Sequence, residues 1–393
     1  MINDPVLVLG VVVGLAGLLI ALESYTGWKV FKYVPAFVLM YLGCAALNTF
    51  GILGDAEGSR DALKATKDLL LPAMIFVLLL GCDLRRIAQL GPKLLLTFFV
   101  TVLSIMAAFI GVFALFRAIL STDVLSAEAW IPMASLLGSW TGGSANMVAV
   151  NEILEGPENL FGFAVITDTV VYSAWLIVMF SSVAVASRFD RWTRADSTRL
   201  EEHMERVAVD EAPITRASLA VNVFTSLLIG AVALRFGTWM AKDLGLGGDV
   251  LNATGWTIIF VSVVGLIAAQ TPLGRVAGAT EVGSLMLFVI IGQIATGSDF
   301  TGIAEAPVYL LMGVLIVLIH GAIMVAYAKA AKADLFSLTV ASTANIGGLA
   351  SAPVVAASYD RRLVPVGVLF ALMGSLIGTF AGLGGGAVMR LLG

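Results

Sequence analysis

Charge is scarce in this sequence: only 13% of its 393 residues are Asp, Glu, Lys or Arg, against 59% hydrophobic, and the mean hydropathy is +0.98. A soluble globular chain carries about 25% charged residues, so that class is excluded. Cysteine is nearly absent. Cys44 and Cys82 lie in or beside apolar runs and give neither a disulfide framework nor metal-ligand spacing. No basic cluster with interleaved aromatics occurs, which removes nucleic acid as a partner. The first residues, Met1-Ile2-Asn3-Asp4-Pro5, have no basic stretch, so the first apolar run is expected to be a retained helix rather than a cleaved signal. The net charge of −4 decides little, because the positions of the charges matter more than their sum.

What is present is apolar length. Runs such as Leu7–Leu22 and Leu94–Phe116 are long enough for a bilayer, which takes about 20 residues of helix. The reading is an all-α polytopic membrane protein in contact with a lipid bilayer. Apolar elements fall near Val6–Leu22, Val34–Phe50, Leu69–Gly81, Leu94–Phe116, Trp130–Val150 and Leu160–Ala186, then after a polar, Arg-rich linker near Leu219–Leu234, Gly255–Ala269, Val282–Ala295, Val308–Tyr327, Leu335–Ala357 and Val364–Leu383. The division is therefore residues 1–186, a linker 187–216, and residues 217–393.

The two halves repeat. Gly81, Asp83, Ile87 and Ala88 follow the third element at the offsets at which Gly297, Asp299, Ile303 and Ala304 follow the ninth. The fifth element carries Ser144-Ala145-Asn146 and the eleventh Thr343-Ala344-Asn345. Internal repeats of this kind mark secondary transporters. Lys and Arg concentrate in cytoplasmic loops, and this rule selects a topology. If the fifth and eleventh elements enter and return on one side, with the N-terminus outside, Lys29, Lys32, Arg85, Arg86, Lys93, the six linker arginines, Arg275, Lys329, Lys332, Arg361 and Arg362 all lie inside, sixteen against seven. Each half then crosses five times, so the halves are inverted repeats, each with five transmembrane helices and one re-entrant or broken helix.

The two odd elements hold the chemistry. "GSWTGGSANMVAV" (Gly138–Val150) and "ASTANIGGLASAPVVAA" (Ala341–Ala357) put polar and glycine residues at membrane depth, where irregular backbone is tolerated only inside protein or beside a water-filled cavity. Gly142-Gly143 and Gly347-Gly348 supply the turn and close approach. Ser139, Thr141, Ser144 and Asn146 in one tip, and Ser342, Thr343, Asn345 and Ser351 in the other, supply neutral oxygens for a hard cation such as Na⁺. The N–H groups at a half-helix start suit a carboxylate. Pro353 is expected to stop or kink the returning segment. The competing reading of either tip is small-residue helix packing.

Asp168 lies well inside the sixth element, where an ionisable group is costly and therefore a functional candidate. It is a Na⁺ ligand, a proton carrier or a partner for a substrate ammonium, with a structural Asp bonded to Thr167, Thr169 or a hairpin N–H as the alternative. Na⁺ is expected at Asn146, Asp168 and Asn345, with no other metal and no cofactor beyond Na⁺ or H⁺ as coupling ion. His320 reads as a packing residue before a proton relay. Asp83 and Asp299 read as structural repeat markers, and Gly382–Gly386 as a packing or fraying feature rather than a phosphate loop.

The motifs "GSWTGGSANMVAVNEIL", "TDT" and "STANIGGLASAP" resemble the domain-of-unknown-function 819 family of bacterial membrane proteins over nearly the whole chain. That family is grouped with the cation/proton antiporter and anion transporter superfamily, and the two-tip architecture is similar to that of the sodium–citrate and sodium–glutamate symporters. The resemblance implies that Gly142, Gly143, Ser144, Asn146, Asn345, Gly347 and Gly348 line a solute and ion site. It also implies a homodimer in the cell (inner) membrane and an elevator-like movement. The citrate symporters use an arginine near the site, and neither tip here has one.

The expected activity is a secondary active transporter, Na⁺- or H⁺-coupled, for a small organic anion or zwitterion such as a monocarboxylate, amino acid or short peptide. The alternative is a cation/proton antiporter using Asp168. An intramembrane enzyme would need a nucleophile context such as G-x-S-x-G, which is missing around Ser144.

Overall fold

The computed structural model describes residues 2–28, 31, 36–53, 57–122, 124–195, 213–248, 251–297, 306–360 and 363–392. Asp299, Ile303, Ala304, the linker from 196 to 212, Lys29, Lys32, Arg361 and Arg362 lie outside the described residues.

The described chain is helical, and no β-ladder forms among the described residues beyond one isolated bridge between Ile2 and Leu53. The helices are α1 (Pro5–Thr26), α2 (Ala36–Thr49), α3 (Glu57–Leu79), α4 (Leu84–Ala88), α5 (Gly91–Ile119), α6 (Trp130–Gly142), α7 (Ser144–Ile153), α8 (Glu158–Ser182) and α9 (Ala186–Thr193), then α10 (Arg216–Thr238), α11 (Ala253–Ala269), α12 (Ala279–Ala295), α13 (Ala306–Ala331), α14 (Leu335–Ile346), α15 (Gly348–Tyr359) and α16 (Val364–Leu392). Local chemistry sets their ends. Asp4 caps α1 through Leu7 N, and Pro5 takes the first turn, where a missing N–H is harmless. Thr215 and Ser218 form a reciprocal capping box at the start of α10. Asp83 caps the short α4, accepting from Arg85 N–H and Arg86 N–H.

Among the described residues, six helical stretches are long and apolar enough to cross a membrane: Pro5–Thr26, Gly91–Ile119, Glu158–Thr193, Arg216–Asp243, Ala306–Ala331 and Val364–Leu392. Shorter apolar helices, Ala36–Thr49, Ala253–Ala269, Ala279–Ala295, Leu335–Ile346 and Gly348–Tyr359, accompany them. The fifth and eleventh elements are both broken, as their sequences lead one to expect. Their arms are α6 with 13 residues and α7 with 10, and α14 and α15 with 12 each. At about 1.5 Å per residue, no arm reaches across a hydrocarbon layer about 30 Å thick. The third element differs from its expected limits: α3 begins at Glu57 and runs through Pro72. Pro353 also departs from expectation, since it lies inside α15, which continues to Tyr359.

The chain forms two compact units. The first is Met1–Gly81, Asn151–Thr169 and Ala212–Ala306; the second is Cys82–Val150, Val170–Glu211 and Pro307–Gly393. Each unit therefore gathers matching stretches of both sequence halves: α1–α3 with α10–α12 in the first, and α5–α6 with α13–α16 in the second. Within the first unit, glycines let helices approach closely. A Cβ at Gly237 would lie 2.3 Å from Ala253 O, and one at Gly283 would lie 2.5 Å from Leu78 Cδ2. A Lys67–Glu152 ion pair of 2.8 Å and the Asn252 side chain on Ile153 O at 2.8 Å hold the end of α7 in that unit. In the second unit α16 is mostly buried, and Trp140, Phe109, Phe98 and Phe370 fill the core around it.

Candidate functional site

In the first broken helix, α6 closes with Gly143 N–H donating to Ser139 O at 2.6 Å. The chain then turns at Gly143, with φ +91° and ψ 169°. That conformation excludes most side chains. Gly142, still helical, serves close approach instead: its Cβ would stand 2.3 Å from Gly374 O and 2.4 Å from Asn146 Nδ2. Asn146 ties this break to α16. Its Nδ2 donates to Gly142 O at 2.7 Å, and its Oδ1 accepts from Thr379 N–H at 2.9 Å and Thr379 Oγ1–H at 2.6 Å. Thr141 Oγ1–H is turned back to Leu137 O at 2.8 Å. Ser139 is buried, while Gly143 and Ser144 are half-buried at the opening of the break.

The second break has the same division of labour between its glycines. Gly347 N–H donates to Thr343 O at 2.7 Å to end α14, and Gly348 takes the left-handed φ of +61°. A Cβ at Gly347 would strike Ser351 Oγ at 2.0 Å and Tyr172 Cε2 at 2.6 Å. Thr343 Oγ1–H is spent on Thr339 O at 2.7 Å. Asn345 Nδ2–H donates to Ala341 O at 2.8 Å, but its Oδ1 is buried with no hydrogen-bond partner among the described residues. Ser351 Oγ, one turn into α15, is likewise buried and unpartnered among the described residues. Buried acceptors left open cost about 1–3 kcal/mol each and call for an explanation.

The two breaks meet in the second unit. A Cβ at Gly348 would lie 3.7 Å from Gly143 Cα, and a Cβ at Gly374 on α16 would lie 2.6 Å from Thr141 O and 3.4 Å from Ala344 O. Two helix C-terminal ends (α6, α14) and two N-terminal ends (α7, α15) therefore converge. Their carbonyls carry partial negative charge and their N–H groups partial positive charge.

Ser342 faces elsewhere. Its Oγ lies 2.9 Å from His320 Nε2 and accepts Trp175 Nε1–H at 2.9 Å, while His320 Nδ1 lies 2.7 Å from Ser104 Oγ. Both nitrogens of His320 are thus engaged by Ser104 and Ser342. Further along, Ser182, Thr339 and Tyr359 close a ring of hydroxyls at 2.7–3.1 Å. Asp168 is 5% exposed and belongs to the first unit, whereas the other candidate residues belong to the second. On α8 it shares one helical face with Tyr172 and Trp175, by the i, i+4, i+7 rule.

Sequence reasoning missed Ser104, Tyr172, Trp175, Gly374 and Thr379. Two signals were available. Gly374, Gly378 and Gly382 recur every four residues, as do Ala134, Gly138 and Gly142 on α6. These small faces pack together: a Cβ at Gly378 would meet Gly138 O at 2.8 Å, and one at Gly382 would meet Ala134 O at 2.9 Å. The Gly382–Gly386 run is therefore a packing feature. The seven-residue spacing of Asp168 and Trp175 was the second signal. The hydroxyl of Ser104 left none.

A family model described as "Protein of unknown function (DUF819)" matches residues 10–392. The chain is also similar to "Uncharacterized membrane protein YjcL" of Bacillus subtilis (strain 168), at 22% identity over 405 residues, covering 97% of this chain and 97% of that protein.

Proposed function

We propose that this chain, which belongs to the DUF819 family, is a secondary active transporter of a small organic anion or zwitterion, coupled to Na⁺ or H⁺. The observation that carries this reading is the meeting of two broken helices beside open buried oxygens, Asn345 Oδ1 and Ser351 Oγ. Broken spans facing each other are how transporters offer backbone carbonyls to a cation and N–H groups to a carboxylate away from lipid. The grouping of matching stretches from both halves into each unit supports inverted repeats and an elevator-type cycle in which the second unit carries the solute.

The roles divide by what each atom has left to give. Asn345 Oδ1 and Ser351 Oγ are the side-chain ligands for Na⁺ or a substrate ammonium. Ser139, Thr141, Gly142, Gly143, Ser144, Thr343, Gly347 and Gly348 contribute backbone or rim. Asn146, with its amide engaged by Thr379 and Gly142, acts by holding the first break in shape. No Lys or Arg occurs in α6, α7, α14 or α15, which favours a monocarboxylate, amino acid or short peptide over a di- or tricarboxylate. Asp168 supplies the negative charge needed during coupling. The protein works as a homodimer in the inner membrane, with its N-terminus outside and the Arg-rich linker in the cytoplasm. A cation/proton antiporter is the second reading, favoured by the burial of Asp168 within an apolar helix. Thermal-shift binding of amino acids and monocarboxylates to purified protein, with and without Na⁺, separates the two. A stabilising solute whose effect is lost in Asn345→Ala and Ser351→Ala supports the transporter; stabilisation by cation alone supports the antiporter.

A further inference from the structure

One arrangement of protons satisfies every polar atom of the Ser104–His320–Ser342–Trp175 cluster. Ser104 Oγ–H donates to Thr101 O at 2.7 Å, so His320 Nδ1 is the donor to Ser104. Nε2 of the neutral ring is then a bare acceptor, filled by the Ser342 hydroxyl, whose oxygen takes Trp175 Nε1–H. His320 is 1% exposed on α13, and it joins α5, α8 and the first arm of the second broken helix.

We propose that His320 is a proton-binding site whose occupancy competes with the seating of the second broken helix. A proton arriving from water can bond only to Nε2, and it does so only if the Ser342 hydroxyl turns away. The acceptor for that turn is at hand: the carbonyl of Leu338 one helical turn back, in the way Thr343 uses Thr339 O. The new Nε2–H then donates to Ser342 Oγ. One proton is taken up, no covalent bond other than N–H forms, and the ring becomes a cation. Among the described residues of the second unit no counter-charge faces it; Asp190, on α9, accepts from Leu335 N–H at 2.8 Å. From α5 it meets Ser104, with Lys93 turned to Lys332 O and Arg117 to Leu125 O at the helix ends. From α8 it meets Trp175, with Tyr172 one turn on. From α14 it meets Ser342, and Asp334 is occupied in capping that helix. On α13 itself, Tyr327 is bonded to Thr97, Lys329 to Trp192, and Tyr309 stands at the other end. A buried cation with no partner is costly, so the charged ring favours the arrangement that lets water in. That arrangement is α14 loosened from α13 and α8. Proton binding and release of the second break are therefore one event. In the transporter this couples H⁺ to the solute site; that role rests on the proposed function, whereas the competition itself does not.

The chain has two histidines, His203 and His320, so imidazole ¹⁵N spectra of the full-length protein in nanodiscs are readable once His203→Gln has assigned them. At about pH 8 the His320 ring is expected with Nδ1 protonated and Nε2 bare. On stepwise acidification from there to the lowest pH at which the protein stays folded, Nε2 protonates. Over the same interval the amides of residues 335–346 exchange about tenfold faster after correction for intrinsic pH dependence, because opening α14 to water relieves the unpartnered buried cation. His320→Gln is expected to abolish that pH dependence. A ring that stays singly protonated over this range, or protonates with unchanged exchange in 335–346, overturns the proposal. If His320→Gln does not fold, the His203→Gln titration decides alone. Wild-type protein that carries no solute in proteoliposomes ends the transporter reading and leaves these readouts standing.

Discussion

Replacing Gly142 by alanine tests the packing of the first break against α16. The added methyl carbon would stand 2.3 Å from Gly374 O and 2.4 Å from Asn146 Nδ2, where ordinary contact begins at 3.4 Å. One of these neighbours is backbone of a buried helix, so α6 must withdraw by about 1 Å or α16 must bend. Overpacking of this kind costs about 1–3 kcal/mol. Displacing Asn146 from Gly142 O forfeits about 1 kcal/mol more. Alanine's better helix propensity returns at most about 1 kcal/mol. The net expectation is a destabilisation of about 1–3 kcal/mol. Gly384→Ala, on α16, is the control, because nothing outside its own helix backbone lies within 4 Å of its Cβ among the described residues; it should be neutral or stabilising by up to about 1 kcal/mol. Denaturant unfolding in detergent, on matched preparations, measures both. Equal stability of Gly142→Ala and wild type, or equal damage by Gly384→Ala, would refute the close approach of α6 and α16.

The two asparagines should separate. Asn146→Ala strands the Thr379 groups and should lower stability by about 1–3 kcal/mol. Asn345→Ala loses one bond inside its own helix and should fold normally while weakening solute or Na⁺ binding about ten- to a hundredfold; isothermal titration beside a melting curve shows whether the effects divide this way. Asp168→Asn keeps the shape and removes the charge, so gradient-driven uptake should vanish while the protein assembles, and full uptake by the variant would remove Asp168 from coupling. Single-cysteine labelling at Thr198, in a cysteine-free background, should find the linker on the cytoplasmic face; periplasmic labelling would sink the re-entrant topology.

Much of the fold was legible because two features report locally. Apolar runs mark spans, and a cluster of Gly, Ser, Thr and Asn within such a run marks a break. Gly142-Gly143 and Gly347-Gly348 located both breaks to the residue, since one glycine of each pair must take a positive φ that larger residues resist. What the sequence hid was partnership. Asn146 and Asn345 occupy matching positions and read alike, yet one oxygen is claimed by Thr379, more than two hundred residues away in the chain, and the other has no partner among the described residues. Ser342 read as a site oxygen and proves to be held by His320 and Trp175, because hydroxyl allegiance depends on which helices become neighbours. The compact units were also out of reach. Each mixes stretches from both halves, and a pass along the chain sees only the halves.

Concentrative uptake is the most direct test of the central claim. Proteoliposomes holding the purified chain would be offered a labelled mixture of amino acids and monocarboxylates under an imposed Na⁺ gradient and, separately, a proton gradient. The expected result is accumulation under at least one gradient, its collapse on adding the matching ionophore, and its loss in Ser351→Ala at unchanged melting temperature. No accumulation under either gradient, together with gradient-driven cation movement in the absence of any solute, would contradict it.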